Sequence, residues 1–392
     1  MRSFDTIVLG LGAMGSAALH HLARKGARVL GLDRFSPPHA LGSSHGDTRI
    51  TRLAIGEGAQ YTPLALRSHE LWRELEQETG KTLLTITGGL IISSRAKTSR
   101  SHVERFFDNT LAAATKFDIA HEVLDANEIR RRFPQFKVAD DEQGYLERDA
   151  GFLRPEECVR ANLAQAERGG AAIHRDEQVL EFRASPSSVS VRTDRATYHA
   201  ATLIVAAGAW LPGLLQGDLA RLFTIYRQTL VWFDIEVPMA NFVPERFPIF
   251  IWELQNKKQG TYGLPALDGP RGGIKIGTEQ YDATTTADAV RRKVTSAEVR
   301  AIYEDYVVPY IAGVGSRCVK AVTCLYTVTP DFGFVLDRHP RHERVLLASP
   351  CSGHGFKHSP AIGEALAEMA TGGTPGIDLA PFALKRFPPA DA

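Results

Sequence analysis

Apolar positions along this chain follow two different periods, and the switches between them outline its elements. Thr6-Ile7-Val8-Leu9 is a short run of the kind that fills a strand buried on both faces. Ser16 to Arg24 reads as a helix, and a second apolar strand ends in Asp33. Leu64, Leu71, Trp72 and Leu75 share one face of a helix predicted over Leu64 to Glu78, and Val103 to Lys116 and Glu156 to Arg168 predict two more. Ala201 to Trp210 is a continuous apolar strand ending on small residues. From Phe223 to Gly277 the pattern changes. Short β-rich runs, Gln228 to Asp234, Ile249 to Leu254 and Gly273 to Ile276, alternate with turn residues as in an antiparallel sheet. A helix is expected over Ser296 to Val307, with strands around Cys324, Val335 and Val345-Leu346-Leu347. The glycine-rich turn Cys351 to Gly355 leads into a helix from Ser359 to Ala370.

This order predicts an α/β plus α+β chain: a Rossmann-like nucleotide domain built from separated segments, with an antiparallel-sheet substrate domain inserted. The nucleotide domain is drawn over 1–85, 150–218 and 320–392, and the substrate domain over 86–149 and 219–319. Between the first strand and first helix stands Gly10-Leu11-Gly12-Ala13-Met14-Gly15. Gly10 permits the tight turn, Gly12 lets a pyrophosphate approach the backbone, and Gly15 lets helix and strand pack closely. The helix N-terminus offers N–H groups to phosphates. Asp33, 18 residues beyond Gly15, stands where a carboxylate can accept the hydroxyls of an adenosine ribose. Glycines also make ordinary turns; it is the strand before and the helix after that point to a dinucleotide.

At 392 residues two lobes are expected, and 44% hydrophobic with 23% charged residues is the composition of a globular protein. A formal net charge of +1 gives nucleic acid or membrane no basic field to exploit. No apolar run reaches the roughly 18 residues of a membrane span. The apolar N-terminus is interrupted by His20, His21 and Arg24 and does not read as a signal peptide, and the terminal Pro-Pro-Ala-Asp-Ala is not a peroxisomal address, so a cytoplasmic location is expected. Cys158, Cys318, Cys324 and Cys351 contain no CxxC pair, which suggests neither zinc nor a disulfide framework, and no metal is expected.

Three further segments narrow the reading: Gly42 to Arg52, a polar loop with Arg49 and Arg52; Lys320 to Thr327, around Cys324 and Tyr326; and Ser352-Gly353-His354-Gly355-Phe356-Lys357. With the N-terminal glycines, and with Gly56-Glu57-Gly58, Gly151-Phe152-Leu153 and Lys275, they make the chain resemble the monomeric sarcosine oxidase and N-methyltryptophan oxidase family from first strand to last helix. That resemblance implies FAD, attached covalently through Cys324, which by itself would read as a buried structural cysteine. It places His45 and Arg49 beside the flavin ring. Arg52 and Lys357 fall on the substrate carboxylate, where two cations can clamp an anion. Gly353 to Phe356 would direct backbone N–H groups at the flavin. Lys275 would be a fixed cation promoting oxygen reduction. Tyr262 and Tyr326 match pocket aromatics, and Met14, Arg34, Ser44, Thr48 and Val179 complete the implied cofactor set.

Departures bear on the substrate. Sarcosine-type members carry a histidine four residues after the lysine, where this chain has Glu279; they carry a tyrosine where it has Ile55; and Trp252 stands where a smaller residue is usual. The expected activity is oxidation of an N-methyl or other secondary amino acid to an imine, with oxygen reduced to hydrogen peroxide. A cyclic imino-acid oxidase or dehydrogenase and a noncatalytic flavin-binding protein are the alternatives. The expected partners are a small amine and oxygen, without nucleic acid or membrane, and the expected form is a monomer.

Overall fold

The computed structural model describes residues 3–99, 103–269 and 272–387. The terminal Pro-Pro-Ala-Asp-Ala lies outside them. Five parallel strands form the heart of an eight-stranded sheet, in the order Ala172–His174, Val29–Leu32, Ser3–Leu9, Thr197–Val205, His342–Ser349. Their alternation explains the continuous apolar runs. Val8, Ile204 and Leu346 face one core together with helices Ala13–Arg24, Thr62–Thr79, Pro155–Arg168 and Ser359–Ala370. Ile7, Leu9, Leu203, Val205 and Leu347 face a second core on the other side. Both faces are covered, so both must be apolar. Val179–Ala184 and Val189–Thr193 extend the sheet antiparallel, and Val335–His339 pairs antiparallel with His342–Ser349.

The second sheet has nine strands. Its pairings are antiparallel except one: Ile249–Trp252 runs parallel to Gly89–Ser93. Thr224–Ile235 is its spine, pairing with Ile274–Thr278 on one side and with the 15-residue strand Val314–Val328 on the other. Val314–Val328 runs through position 320, where the sequence reading divides the chain, and keeps its pairing to Thr224–Ile235 as far as Val328. A third sheet of three short strands, Arg49–Thr51, Gly151–Leu153 and Leu84–Ile86, was not expected. Two helices differ at their ends. The one expected from Val103 begins at Phe106, because Arg105 before it is left-handed at φ 57°. The one expected over Ser296 to Val307 is α-helical only to Ile302, after which Tyr303–Val307 winds as a π-helix.

Close approach of the first helix to the first turn depends on a missing side chain. A Cβ on Gly15 would stand 1.7 Å from the Gly10 carbonyl oxygen, and one on Gly363 2.6 Å from the Ala17 backbone of the packed neighbouring helix. Gly15→Ala should therefore destabilise the fold by about 1–3 kcal/mol or more, as overpacking does. Thermal melting reads this directly; an unchanged melting temperature would show that the helix does not need this contact.

Candidate active site

One cavity of about 520 Å³ runs from the C-terminal ends of the parallel strands to the inner face of the nine-stranded sheet. That volume lies within the roughly 300–1,000 Å³ of small-molecule sites. At its first end it is lined by Gly10, Gly12, Met14, Asp33, Arg34, Ser44 and Val179. Gly10 sits at φ +85°, and a Cβ there would meet the Ala206 carbonyl oxygen at 2.5 Å. Gly15 does not reach the wall; its part is the packing just described. Asp33 is already tied into the protein, accepting the N–H of Leu11 at 2.7 Å and of Phe35 at 2.8 Å. Arg34 pairs with Asp288 at 2.9 Å.

The middle of the cavity is built on the loop before Arg49–Thr51. Arg49 donates to the carbonyls of Thr48 and Ser43, both at 2.8 Å, and to Cys324 Sγ at 3.4 Å. Cys324 is buried opposite Gln228 and lines the cavity. Lys275 comes from the opposite sheet. Its Nζ donates to the carbonyls of Gly46 and Thr48 at 2.8 Å each, and lies 5.1 Å from the Trp232 ring centroid. Burial, with Arg49 nearby, pushes its pKa well below that of an ordinary lysine. Desolvation thus works against the charge that the sequence reading expects there. His45 lies in the same loop. It is buried but is not part of the lining, and burial with Arg49 and Lys275 beside it pushes its pKa down to about 3.

The far end holds the two remaining cations. Arg52, 2% exposed, donates to the Ala54 carbonyl at 2.6 Å and to Glu57 at 2.5 Å, lies over the Phe106 ring, and has no hydrogen-bond partner at Nε among the described residues. Lys357 donates to the His354 carbonyl at 2.6 Å. Burial pushes its pKa down to about 7, with Glu57 opposing, Arg52 adding and Glu279 opposing. Tyr262 and Tyr326 line the wall and share a hydrogen bond; burial pushes the Tyr262 phenol up to about 12 and the Tyr326 phenol well above its ordinary value. Gly353, His354, Gly355 and Phe356 also line the cavity, but the N–H groups of His354 and Gly355 point back to the Cys351 carbonyl at 2.9 and 3.1 Å. A tight turn has claimed two of the donors expected for the cofactor. Trp252 and Glu279 line this end, whereas Ile55 is packed in the helical core.

Three carboxylates escaped the sequence reading, two of them because their partners are distant in the chain. Glu156 accepts the N–H of Gly46 at 2.6 Å and of Asp47 at 3.2 Å. Glu147 accepts those of Leu53 and Ala54 at 2.6 and 3.0 Å. Glu57, noticed only as part of Gly56-Glu57-Gly58, holds Arg52. An acidic residue in an otherwise apolar strand was the available signal for Glu147.

These residues suit a dinucleotide: a glycine cradle that a side chain would fill, a helix start opening on the cavity, and a buried cysteine and cations further along. Among the described residues no cluster of His, Cys, Asp and Glu could hold a metal ion. Nor is any helix among them long and apolar enough to cross a membrane. Such a parallel sheet, joined by one cavity to a second sheet that brings in the buried Lys275, is a frame that suits a dinucleotide-dependent oxidoreductase. The chain belongs to the FAD dependent oxidoreductase family, whose model matches residues 5–369, and is accordingly FAD-dependent. It is 41% identical over 391 residues to a monomeric sarcosine oxidase of Streptomyces avermitilis, covering 100% of this chain and 99% of that one. An N-methyl-L-tryptophan oxidase of Salmonella heidelberg is 33% identical, with 98% and 99% covered. Among solved structures, NikD, an unusual amino acid oxidase essential for nikkomycin biosynthesis, shares the fold with a TM-score of 0.82 at 23% identity, covering 98% of each chain.

Lys357 is open to direct measurement. In protein carrying ¹³Cε-labelled lysine, its resonance should titrate with a midpoint near pH 7, charged below and neutral above. Glu57→Gln removes an anion that raises the midpoint, so the midpoint should move lower. A wild-type midpoint near the ordinary 10.5 would mean that this end of the cavity is not desolvated.

Proposed function

We propose that the protein is an amine oxidase that oxidises the C–N bond of an N-methyl or other secondary amino acid. The observation that carries the reading is the continuity of one cavity, which joins the glycine turn at Gly10 and Gly12 to Cys324, Lys275, Arg52 and Lys357. Full-length similarity to sarcosine and N-methyltryptophan oxidases supports it. Gly10, Gly12, Met14, Arg34, Ser44 and Val179 would hold the dinucleotide end of FAD, and Thr48, Arg49 and Cys324 the ring end. Bound there, FAD would supply the two-electron acceptor for oxidation of the C–N bond to an imine, which would hydrolyse, with oxygen as the final acceptor giving hydrogen peroxide.

The chain's own residues do the rest. Arg52 and protonated Lys357 bind the substrate carboxylate and fix the orientation of the amine. Replacing the Glu57 and Ala54 contacts of Arg52, in whole or part, with a substrate carboxylate keeps the guanidinium hydrogen-bonded. Tyr262 and Tyr326, held neutral by burial, exclude water and offer hydroxyls. Lys275 holds the loop backbone at Gly46 and Thr48 and keeps an amine facing the cavity, which we assign to the oxygen half-reaction. Cys324 is assigned as the point of covalent attachment; its Sγ lines the cavity with Arg49 donating to it. We read the working form as a cytoplasmic monomer divided into FAD and substrate segments, the last boundary falling beyond Val328 rather than at 320; four free cysteines support the location.

Anaerobic addition of N-alkyl amino acids tests the function: a secondary amino acid should bleach the flavin stoichiometrically. Failure of every N-methyl and cyclic amino acid to bleach it would sink the assignment. Covalent attachment is tested separately. Yellow colour should stay with the acid-denatured polypeptide and leave it in Cys324→Ser, whereas quantitative recovery of free FAD from wild type would rule attachment out while leaving FAD binding intact.

A further inference from the structure

Glu147 is a buried anion outside the cavity wall that makes no ion pair among the described residues. It closes the strand Gln143–Glu147 of the nine-stranded sheet, and it is only 1% exposed. Its Oε1 accepts the N–H of Leu53 at 2.6 Å; its Oε2 accepts the N–H of Ala54 and the hydroxyl of Tyr145, both at 3.0 Å. Both oxygens are thus taken by neutral donors. A glutamine could not do the same, because it has one acceptor oxygen and its NH₂ would face an N–H. The carboxylate is costly to bury: desolvation pushes its pKa up, while these bonds and the nearby Arg52 charge pull against that.

The segment it holds is the one that carries Arg52. The strand Arg49–Thr51 ends one residue earlier, and at Leu53 and Ala54 the chain bends around the Glu147 carboxylate. The Arg52 guanidinium reaches forward to the same bend, donating from Nη1 to the Ala54 carbonyl at 2.6 Å. Its Nη2 goes to Glu57 at 2.5 Å, and its Cζ lies 5.0 Å from the Phe106 ring centroid. Ala54, Phe106 and Tyr145 pack in one apolar cluster, so the bend, the ring and the strand bearing Glu147 form a single block. What these contacts leave is Nε, buried and without a partner among the described residues, on a side chain that lines the cavity. The guanidinium is planar, so fixing Nη1 and Nη2 fixes the direction of Nε.

We propose that Glu147 is a positioning residue for recognition of the substrate carboxylate. By holding the bend at Leu53 and Ala54 it sets the direction in which Arg52 offers its free N–H. The inference rests on the amine-oxidase reading above, in which Arg52 binds that carboxylate. Glu147 itself meets neither substrate nor cofactor. Its replacement therefore leaves the lining residues in place and changes how well the site tells an acid from a neutral analogue.

The test measures discrimination between an acid and its amide with the FAD-loaded enzyme. Values of kcat/KM are compared for N-methylalanine and N-methylalaninamide. Dissociation constants of propanoate and propanamide are read from the shift in flavin absorbance. Wild type should prefer the acid in both assays. Glu147→Gln should cut that preference about tenfold or more, the scale of one charge-assisted hydrogen bond, and should do so through KM more than kcat. Tyr145→Phe also removes a bond to Glu147 but leaves both backbone N–H groups held, so it should keep the preference even where the melting temperature falls. A preference unmoved in Glu147→Gln, or lost equally in Tyr145→Phe, overturns the proposal. Glu147→Asp keeps the charge and shortens the reach by one carbon. It decides the matter if the glutamine variant does not fold: a reduced preference supports the proposal and an unchanged one overturns it. Arg52→Gln, run alongside, separates the two readings. If it keeps the acid preference, the clamp fails and this proposal with it; if it loses the preference while the Glu147 variants keep it, only the positioning role falls. If no amine is oxidised, the oxidase reading falls, while the dissociation constants still decide the role of Glu147.

Discussion

A buried amine helps fasten the two halves of this molecule, alongside Ser43 on the Leu325 carbonyl and Lys320 on Asp47. Lys275 leaves the nine-stranded sheet and donates to the carbonyls of Gly46 and Thr48, in the loop that follows the nucleotide-binding strands. On the other side of that loop, Glu156 accepts the N–H groups of Gly46 and Asp47. A backbone with Gly46 at φ 95° and Asp47 at φ 65° cannot join a helix or sheet ladder there; apart from the Thr48 N–H that the Gly46 carbonyl accepts at 2.7 Å, side chains meet its polar groups. Each buried group left unmet would cost about 1–3 kcal/mol. With both partners present the loop has one shape, and that shape aims Arg49 at Cys324 and starts the short strand that ends at Arg52. The position of the carboxylate-binding arginine is thus downstream of an amine and a carboxylate that do not touch it, while Cys324 is held by its strand opposite Gln228.

What the sequence made legible follows from the range of the interactions concerned. The glycine turn, the flanking strand and helix, and the runs buried on both faces are local patterns, and each stands where the pattern put it. Gly10 and Gly15 could be read because backbone contact forbids a side chain there. The three-stranded sheet was invisible because its strands are three residues each and come from positions near 50, 85 and 152. The parallel pairing of Gly89–Ser93 with Ile249–Trp252 joins segments about 160 residues apart, and no period announces it. The same distance hides Glu156 and Glu147. The turn at Gly353 misled for a different reason: glycines there suggested donors aimed outward, whereas Gly353 at φ +87° folds the chain so that the next two N–H groups close on Cys351.

Charge explains why the far end of the cavity is prepared for an anion. Arg49, Arg52, Lys275 and Lys357 lie within one enclosure, and the arginines lower the lysines nearest to them. Arg49 is compensated by carbonyls and a sulfur, and Lys275 by carbonyls. Only Arg52 has a carboxylate, Glu57, in contact. Lys357 donates to a carbonyl, and the Glu57 and Glu279 carboxylates act on it without taking that bond. Folding has already met the desolvation cost of these groups, which an anion arriving from water does not bear again. A carboxylate entering beside Lys357 would favour its protonated form, and by reciprocity protonation of Lys357 favours the carboxylate. Above pH 7 binding should therefore draw in a proton along with the substrate. A secondary amine must lose a proton to react, and the acid that holds its carboxylate must keep one. A lysine balanced near pH 7 lets both conditions hold in the same site over the neutral range, which an ordinary surface lysine, always charged, would meet without any such coupling.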